Sequence, residues 1–185
     1  MNTSRSSVCL GLLLVLFSLS ETSALAQLKA DFTSNIRGGC PPLLVSFQDF
    51  SAGNPISWKW TLGNGTTSTN QNPITTYFDA GVYTVKLVIK NGSASDSITK
   101  TSFITVYANP QAAFLASPTQ GCFPLEVNFT DNSKAGSGTI SEYLWDFGDG
   151  NISTLPMPSH TYTSAGIFDV TLQVTNSLHC SNAST

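Results

Sequence analysis

"YLWDFGDGNIS", residues 143–153, has a counterpart earlier in the same chain, "WKWTLGNGTTS", residues 58–68. Trp145 and Trp60 each stand two residues after another aromatic ring, Tyr143 and Trp58, so both rings of each pair share one face of a strand. Two glycines follow in each copy, Gly148 and Gly150 in one, Gly63 and Gly65 in the other. An alternating stretch that breaks at Gly-x-Gly reads as a strand running into a tight turn, because glycine reaches positive φ without a Cβ penalty.

The duplication extends in both directions. Upstream, "GGCPPLLVSFQDFS" (38–51) recurs as "QGCFPLEVNFTDNS" (120–133), which maps Cys40 onto Cys122 and Phe47 onto Phe129 at an offset of 82. Downstream the offset is 85, mapping Trp60 onto Trp145, and it holds as far as Asn91 and Asn176. The three extra residues fall within "NSKAGSGTIS" (132–141). Each unit is about 80 residues, enough for one small all-β domain and short for most enzymes.

Alternation predicts strands near residues 30–34, 43–50, 56–62, 66–69, 74–78, 82–90 and 97–107 of the first unit. "GNG", "NP", "DAG" and "NGS" separate them with turn chemistry. Tyr83, Val85, Leu87 and Ile89 fall on one face by parity. Seven or so short strands with alternating aromatic and β-branched residues predict an all-β fold of tandem immunoglobulin-like β-sandwiches.

Residues 1–26 read as an export signal. Arg5 gives a basic start, "VCLGLLLVLFSL" (8–19) an apolar stretch, and "ALA" (24–26) a small-residue cleavage site before Gln27. The apolar stretch falls short of the roughly 20 residues that span a bilayer, and no span is expected in the mature chain. The domains are then a signal at 1–26, a sandwich at 27–109 and a second at 110–185. Only 10% of residues are charged and the net charge is -3, so the scattered Lys and Arg offer no footprint for nucleic acid.

"YLWDFGDG" followed by "PSHTYTSAGIFDVTLQVTN" (158–176), with His160, Tyr162 and Gly166 inside it, resembles the signature of the polycystic kidney disease (PKD) domain, a β-sandwich of this length. The first unit departs from that signature: Thr61, Asn64 and Thr75 stand where the second has Asp146, Asp149 and His160. The resemblance implies an extracellular module that spaces, adheres or accompanies a catalytic domain, as in large secreted or surface proteins of gliding bacteria. It implies no chemistry of the module's own.

Asp146 and Asp149 are weak calcium candidates: their spacing is three residues, and the twelfth position counted from Asp146, where an EF-hand loop carries a bidentate Glu, is Met157. No other cofactor is expected. Glu126 and Glu142 fall on different strands and make a poor acid pair for glycoside hydrolysis. No G-x-S-x-G or H-E-x-x-H motif occurs. His160 reads as a hydrogen-bonding residue that orders the corner after its strand. Trp60 and Trp145 occupy the place of a buried strand tryptophan, while Trp58 and Tyr143 offer a second reading as stacking platforms for a glycan.

Three cysteines follow the signal: Cys40, Cys122 and Cys180. In the immunoglobulin-like order the strand after Cys122 and the strand before Cys180 run the same way, which puts the two cysteines at opposite ends of one sandwich, roughly 30 Å apart. A disulfide needs α-carbons within about 7 Å. Head-to-tail stacking brings Cys40 of the first unit beside Cys180 of the second, so a Cys40–Cys180 bond is favoured, with Cys122–Cys180 the alternative. Cys122 is left for a further repeat of the same chain. The second unit stops at Thr185, the position of Lys100, and is expected to be truncated before its last strand, which leaves its penultimate strand unpaired on one side.

The function expected is that of a non-enzymatic secreted or cell-surface protein whose modules space or adhere, with another protein or a glycan at a cell surface as partner. The alternative makes them accessory, carbohydrate-binding domains of a secreted hydrolase with its catalytic domain after residue 185. Export sets the first prediction: N-terminal sequencing of secreted protein starts at Gln27, and a start upstream of Val8 would overturn the signal assignment.

Overall fold

The structure is a computed structural model that describes residues 27–185. The expected export signal, residues 1–26, lies outside the described residues. Residues 81–91 set the frame of the first unit, because their alternation drives every second side chain inward: Val85, Leu87 and Ile89 are buried, while Thr84, Lys86 and Lys90 face solvent.

The strands of this unit are β1 (Phe32–Ser34), β2 (Gly38–Gly39), β3 (Leu43–Asp49), β4 (Ser57–Thr61), β5 (Thr67–Ser68), β6 (Ile74–Tyr77), β7 (Gly81–Asn91) and β8 (Ala94–Val106). They form two sheets, one ordered β1-β3-β6 and the other β2-β8-β7-β4-β5. All neighbours are antiparallel except β2 and β8, which pair parallel through Gly38↔Thr105 and Gly39↔Val106. The inner faces close on one core that includes Phe32, Val45, Phe47, Trp60, Leu62, Tyr77, Leu87, Phe103 and Ile104. Phe32 stands edge-on to Trp60 at 5.1 Å between centroids, the arrangement that the ring quadrupoles favour.

The second unit repeats the plan with β9 (Phe114–Ser117), β10 (Leu125–Asp131), β11 (Ile140–Asp146), β12 (Ile152–Ser153), β13 (Ser159–Tyr162), β14 (Thr171–Asn176) and β15 (Ser181–Ser184). Its sheets are ordered β13-β10-β9 and β12-β11-β14-β15. Val127, Phe129, Trp145, Phe147, Leu172 and Val174 are buried between them. Among the described residues, no helix is long and apolar enough to cross a membrane. The chain is all-β, as its alternation predicts.

Two expectations need correction. Alternation predicts a first strand near residues 30–34; it begins at Phe32, and Gly38–Gly39 then crosses to the other sheet as a separate strand. A glycine pair gives no hydrophobic alternation to read. The expectation that the penultimate strand of the second unit is unpaired also fails in part. β15 pairs with β14 from Leu172↔Ser184 to Thr175↔Ser181. Its sequence, "SNAS", carries no β-branched or aromatic residue, so the backbone ladder, with the Asn182 side chain accepting from the Ala112 amide at 3.1 Å, holds it.

Candidate functional site: the junction between the sandwiches

The opening stretch forms the same turn in both units. Gly63 and Gly148 have φ of 87° and 77°, and a Cβ added there would come within 2.5 Å of the Thr84 carbonyl oxygen or 2.6 Å of that of Asp169. Glycine is therefore required twice over at these positions, by conformation and by space. Gly65 and Gly150 also have positive φ, with open space around them, so for them conformation alone is the reason. Gly166 differs: its Cβ would meet the Phe168 ring at 3.0 Å.

Each turn is fastened to its sandwich from three directions. The Trp60 indole Nε1 donates to the Asn70 carbonyl and that of Trp145 to the Leu155 carbonyl, both at 2.9 Å. The Tyr77 hydroxyl donates to the Leu62 carbonyl at 2.6 Å and the Tyr162 hydroxyl to the Phe147 carbonyl at 2.9 Å. Burial, with the Tyr83 hydroxyl adding to it, pushes the Tyr77 phenol up to about 12. The third fastening changes chemistry between copies: Asn64 Nδ2 donates to Thr75 Oγ1 at 3.2 Å, and Asp149 Oδ2 meets His160 Nε2 at 2.7 Å. His160 thus reaches the turn after β11, and its ring stacks on Phe147 with centroids 4.3 Å apart.

The calcium candidates are engaged in the same turn. Asp146 Oδ1 accepts from the Gly148 amide at 2.9 Å, and Asp149 Oδ1 from the Asn151 amide at 3.1 Å. Desolvation raises the Asp149 carboxyl, but the hydrogen bonds from His160 and Asn151 outweigh it and hold it below the usual carboxylate value. Glu126 lies on β10 and Glu142 on β11, in opposite sheets, and both are exposed. No acid pair faces a common cleft there. Trp58 is half-buried against the core, and its Nε1 donates to Asp49 Oδ2 at 2.7 Å. At its counterpart Tyr143, burial first and then the Asp131 carboxylate raise the pKa. The polar edge of Trp58 is used to tie β4 to β3.

The constellation that joins the two units is a different one. Cys40 and Cys180 form a disulfide with α-carbons 5.5 Å apart across a sequence separation of 140. Two local geometries bring them together at one linker residue, Ala108. On one side, the Tyr107 amide donates to the Gly39 carbonyl at 2.9 Å, which sets Cys40 beside the exit of β8. On the other, Asn176, at the end of β14, is fully buried, and its Nδ2 donates to the Ala108 carbonyl at 3.3 Å and the Ala135 carbonyl at 3.1 Å. Its Oδ1 accepts from the Leu178 and Cys180 amides, both at 3.0 Å, and so shapes the turn that presents Cys180. The three-residue insertion completes the contact: the Ser137 amide donates to the Ala108 carbonyl at 3.1 Å and the Ala108 amide to Ser137 Oγ at 2.9 Å.

Sequence reasoning found the two cysteines and missed Asn176. Its first-unit counterpart, Asn91, is exposed and makes a single side-chain bond, to the Gly53 carbonyl. A burial difference between two aligned asparagines leaves no trace in composition. Cys122, the counterpart of Cys40, is free and exposed.

Two predictions follow from these contacts. Asn176→Ala strands the Ala135 carbonyl and the Leu178 and Cys180 amides and costs about 2–3 kcal/mol in urea unfolding, whereas Asn91→Ala costs about 1 kcal/mol or less; equal losses would contradict the junction role. His160→Ala costs about 1–2 kcal/mol through the lost stacking and hydrogen bond, and Asp149→Asn with His160→Thr, which installs the first unit's pair, recovers part of it. The pH dependence has a fixed sign. A lowered Asp149 pKa adds stability above the unfolded value of about 4, and that contribution disappears as pH falls through the folded value. The gap in stability between wild type and the double variant should therefore narrow below about pH 4.

Comparison with known proteins agrees with this architecture. The sequence profile of the PKD domain matches residues 26–106 and again 107–185. Collagenase ColA of Bacillus cereus is 41% identical over 61 residues, 33% of this chain and 6% of that protein. Pre-pro-metalloprotease PrtV of Vibrio cholerae is 46% identical over 52 residues, 28% of this chain and 6% of the relative. The solved PKD1 domain of PrtV is 34% identical, covering 43% of this chain and 95% of that domain, with a TM-score of 0.37. The chain thus spans only a small part of the length of the curated relatives that it matches. Two profile matches that together take in nearly all of the chain, and the repeated strand-to-turn signature beneath them, make it a member of the PKD domain family in two tandem copies.

Proposed function

We propose that the chain is a non-enzymatic, exported pair of PKD modules that holds the parts of a larger cell-surface or secreted protein at a fixed separation and angle. The observation that carries this reading is the second covalent link across the junction. A single linker lets two domains swivel about it, and inter-domain motion is the default where the interface is small. A disulfide beside the linker restricts that freedom, and Asn176 and Ser137 add hydrogen bonds to the linker residue Ala108. Disulfides persist in oxidising compartments, which agrees with an extracellular site of action. Such a device suits a spacer, whose output is geometry.

A second reading has support from the relatives: stretches of these modules resemble parts of a collagenase and a metalloprotease, so the pair can serve as accessory domains beside a catalytic domain. A catalytic domain on the same polypeptide would favour it, and further PKD repeats would favour the spacer.

The spacer reading is tested by spin-label distances between the units. With labels on exposed positions of β5 and β12, the oxidised chain gives one narrow distribution, and reduction or Cys40→Ser broadens it at least twofold. An unchanged width would mean that the disulfide adds nothing to rigidity, and the reading would fall.

A further inference from the structure

Every second residue of β4 and β7 turns away from the core and onto the outer face of the sheet β2-β8-β7-β4-β5. On β4 these are Ser57, Lys59 and Thr61, and on β7 they include Lys86, Val88 and Lys90; Val88 is half-buried and the rest are exposed. The register sets Ser57 opposite Lys90, Lys59 opposite Val88 and Thr61 opposite Lys86. Lys59 is therefore diagonal to both other lysines, roughly 7–8 Å from each. Hydroxyls flank them, with Thr67 of β5 beside Thr61 and Ser95, Ser97 and Thr99 of β8 beside Lys90, Val88 and Lys86. Next to Lys59 lies an open groove of about 390 Å³ whose other lining residues are Thr67, Ser68, Thr69 and Asn70.

The sheet thus gathers cations that the sequence scatters: of the eight Lys and Arg residues of the chain, three share this one face. Among the described residues, the ion pairs are Lys100 with Asp31 and His160 with Asp149, so none of the three lysines is neutralised. Asp96 is the one carboxylate of β4, β5, β7 and β8, and its Oδ2 accepts from the Ala30 amide at 2.7 Å. Like charges on neighbouring strands oppose folding, and the second unit shows that the fold has no need of them. There Leu144, Thr171 and Thr175 take the three lysine positions, and Glu142 and Asp146 stand at those of Ser57 and Thr61. Because the whole chain has a net charge of -3, a polyanion is repelled by the molecule at large and drawn to this patch.

We propose that this face of the first unit binds an acidic polysaccharide, a sugar chain that bears carboxylate or sulfate groups. Charge complementarity sets the sign of the partner, and the surrounding chemistry sets its class. A polysaccharide spaces its anions along an extended chain and fills the intervals with hydroxyls, which pair with the Ser and Thr hydroxyls between and beside the lysines. Single-stranded nucleic acid calls for exposed aromatic rings on which bases stack, and this face has none, since Trp58 and Trp60 lie on the inner side of β4. An anionic membrane calls for apolar side chains that enter it, and at the centre of the three lysines stands only the half-buried Val88. The inference stands independently of the spacer reading, because a rigid and a swivelling pair present the same face.

The test is affinity electrophoresis of the full secreted chain in gels that contain polygalacturonate, dextran sulfate or neutral dextran. Relative to the dextran gel, one or both anionic polymers are expected to retard the protein at about 0.1 M salt and to release it at about 0.5 M. The polymer that retards it more names the anionic group, carboxylate or sulfate. Lys59→Gln, Lys86→Gln and Lys90→Gln together should weaken binding by about tenfold or more without lowering the melting temperature. Arginine at the same three positions should keep it, since the charge stays. Lys29→Gln with Lys134→Gln removes charge elsewhere and should change it by less than about twofold. No retardation by either anionic polymer would overturn the proposal, as would equal weakening by the Lys29 and Lys134 pair. Tighter binding to single-stranded DNA or to phosphatidylserine vesicles than to either polysaccharide would assign the face to another class of partner and would also overturn it.

Discussion

Burying an indole between two sheets forces the rest of each unit into place. Trp60 and Trp145 are fully buried, so each Nε1 needs an acceptor inside the fold, and each takes the carbonyl of the loop that follows its turn. That bond draws the loop over the ring and fixes how far the turn extends. The turn must then reverse in a confined space, which only glycine at 63 and 148 allows. Its first carbonyl, from Leu62 or Phe147, is met by a tyrosine hydroxyl from the opposite sheet. Tryptophan, glycine and tyrosine act on one turn: losing the tryptophan or the tyrosine leaves a backbone carbonyl without its side-chain donor, and a Cβ at the glycine collides with the neighbouring strand.

Divergence between the copies separates what the fold requires from what it tolerates. The tie from the turn to the facing strand is amide to hydroxyl in the first unit and carboxylate to imidazole in the second. The tie across the sheet corner is an indole on Asp49 in one and a phenol beside Asp131 in the other. In both cases the connection persists while its chemistry changes. Residues that look like acid, base or metal ligand in isolation, Asp149 and His160 above all, are here alternative ways of making one structural bond.

Much of this was legible in the sequence, because repeated alternation is a strong signal and appears twice. The face holding Val85, Leu87 and Ile89 follows from parity, and Trp60 and Trp145 are buried where an immunoglobulin-like sandwich places its strand tryptophan. Strand direction and a distance limit favoured the Cys40–Cys180 bond over Cys122–Cys180, and Cys40–Cys180 is the bond that forms. What escaped has a common physical cause. The Gly38–Gly39 strand and the "SNAS" strand are held by backbone ladders, which side-chain patterns do not report. The "NSKAGSGTIS" insertion reads as loop chemistry, and only the folded chain places Ala135 and Ser137 against the linker. The partner of His160 lies 11 residues away across a turn, so the sequence suggested a corner bond and the structure places it on Asp149.

The junction shows how a duplicated sequence acquires a property that neither copy has alone. Cys40 comes to the linker because a parallel pair, Gly39 with Val106, holds its loop against the end of β8. Cys180 comes to the linker because Asn176 has turned inward to bond Ala108, a change of environment rather than of residue type, since its counterpart Asn91 is also asparagine. The insertion in the second unit supplies the Ala135 carbonyl that makes the inward position satisfiable, for without it half of the buried amide would be unpaired. Three separate local features therefore converge on one linker residue, and the covalent bond forms where they have already brought the sulfurs together. The staple and these hydrogen bonds act on the same junction, the one restricting the swivel that the linker allows and the others fixing where within that range the two units meet.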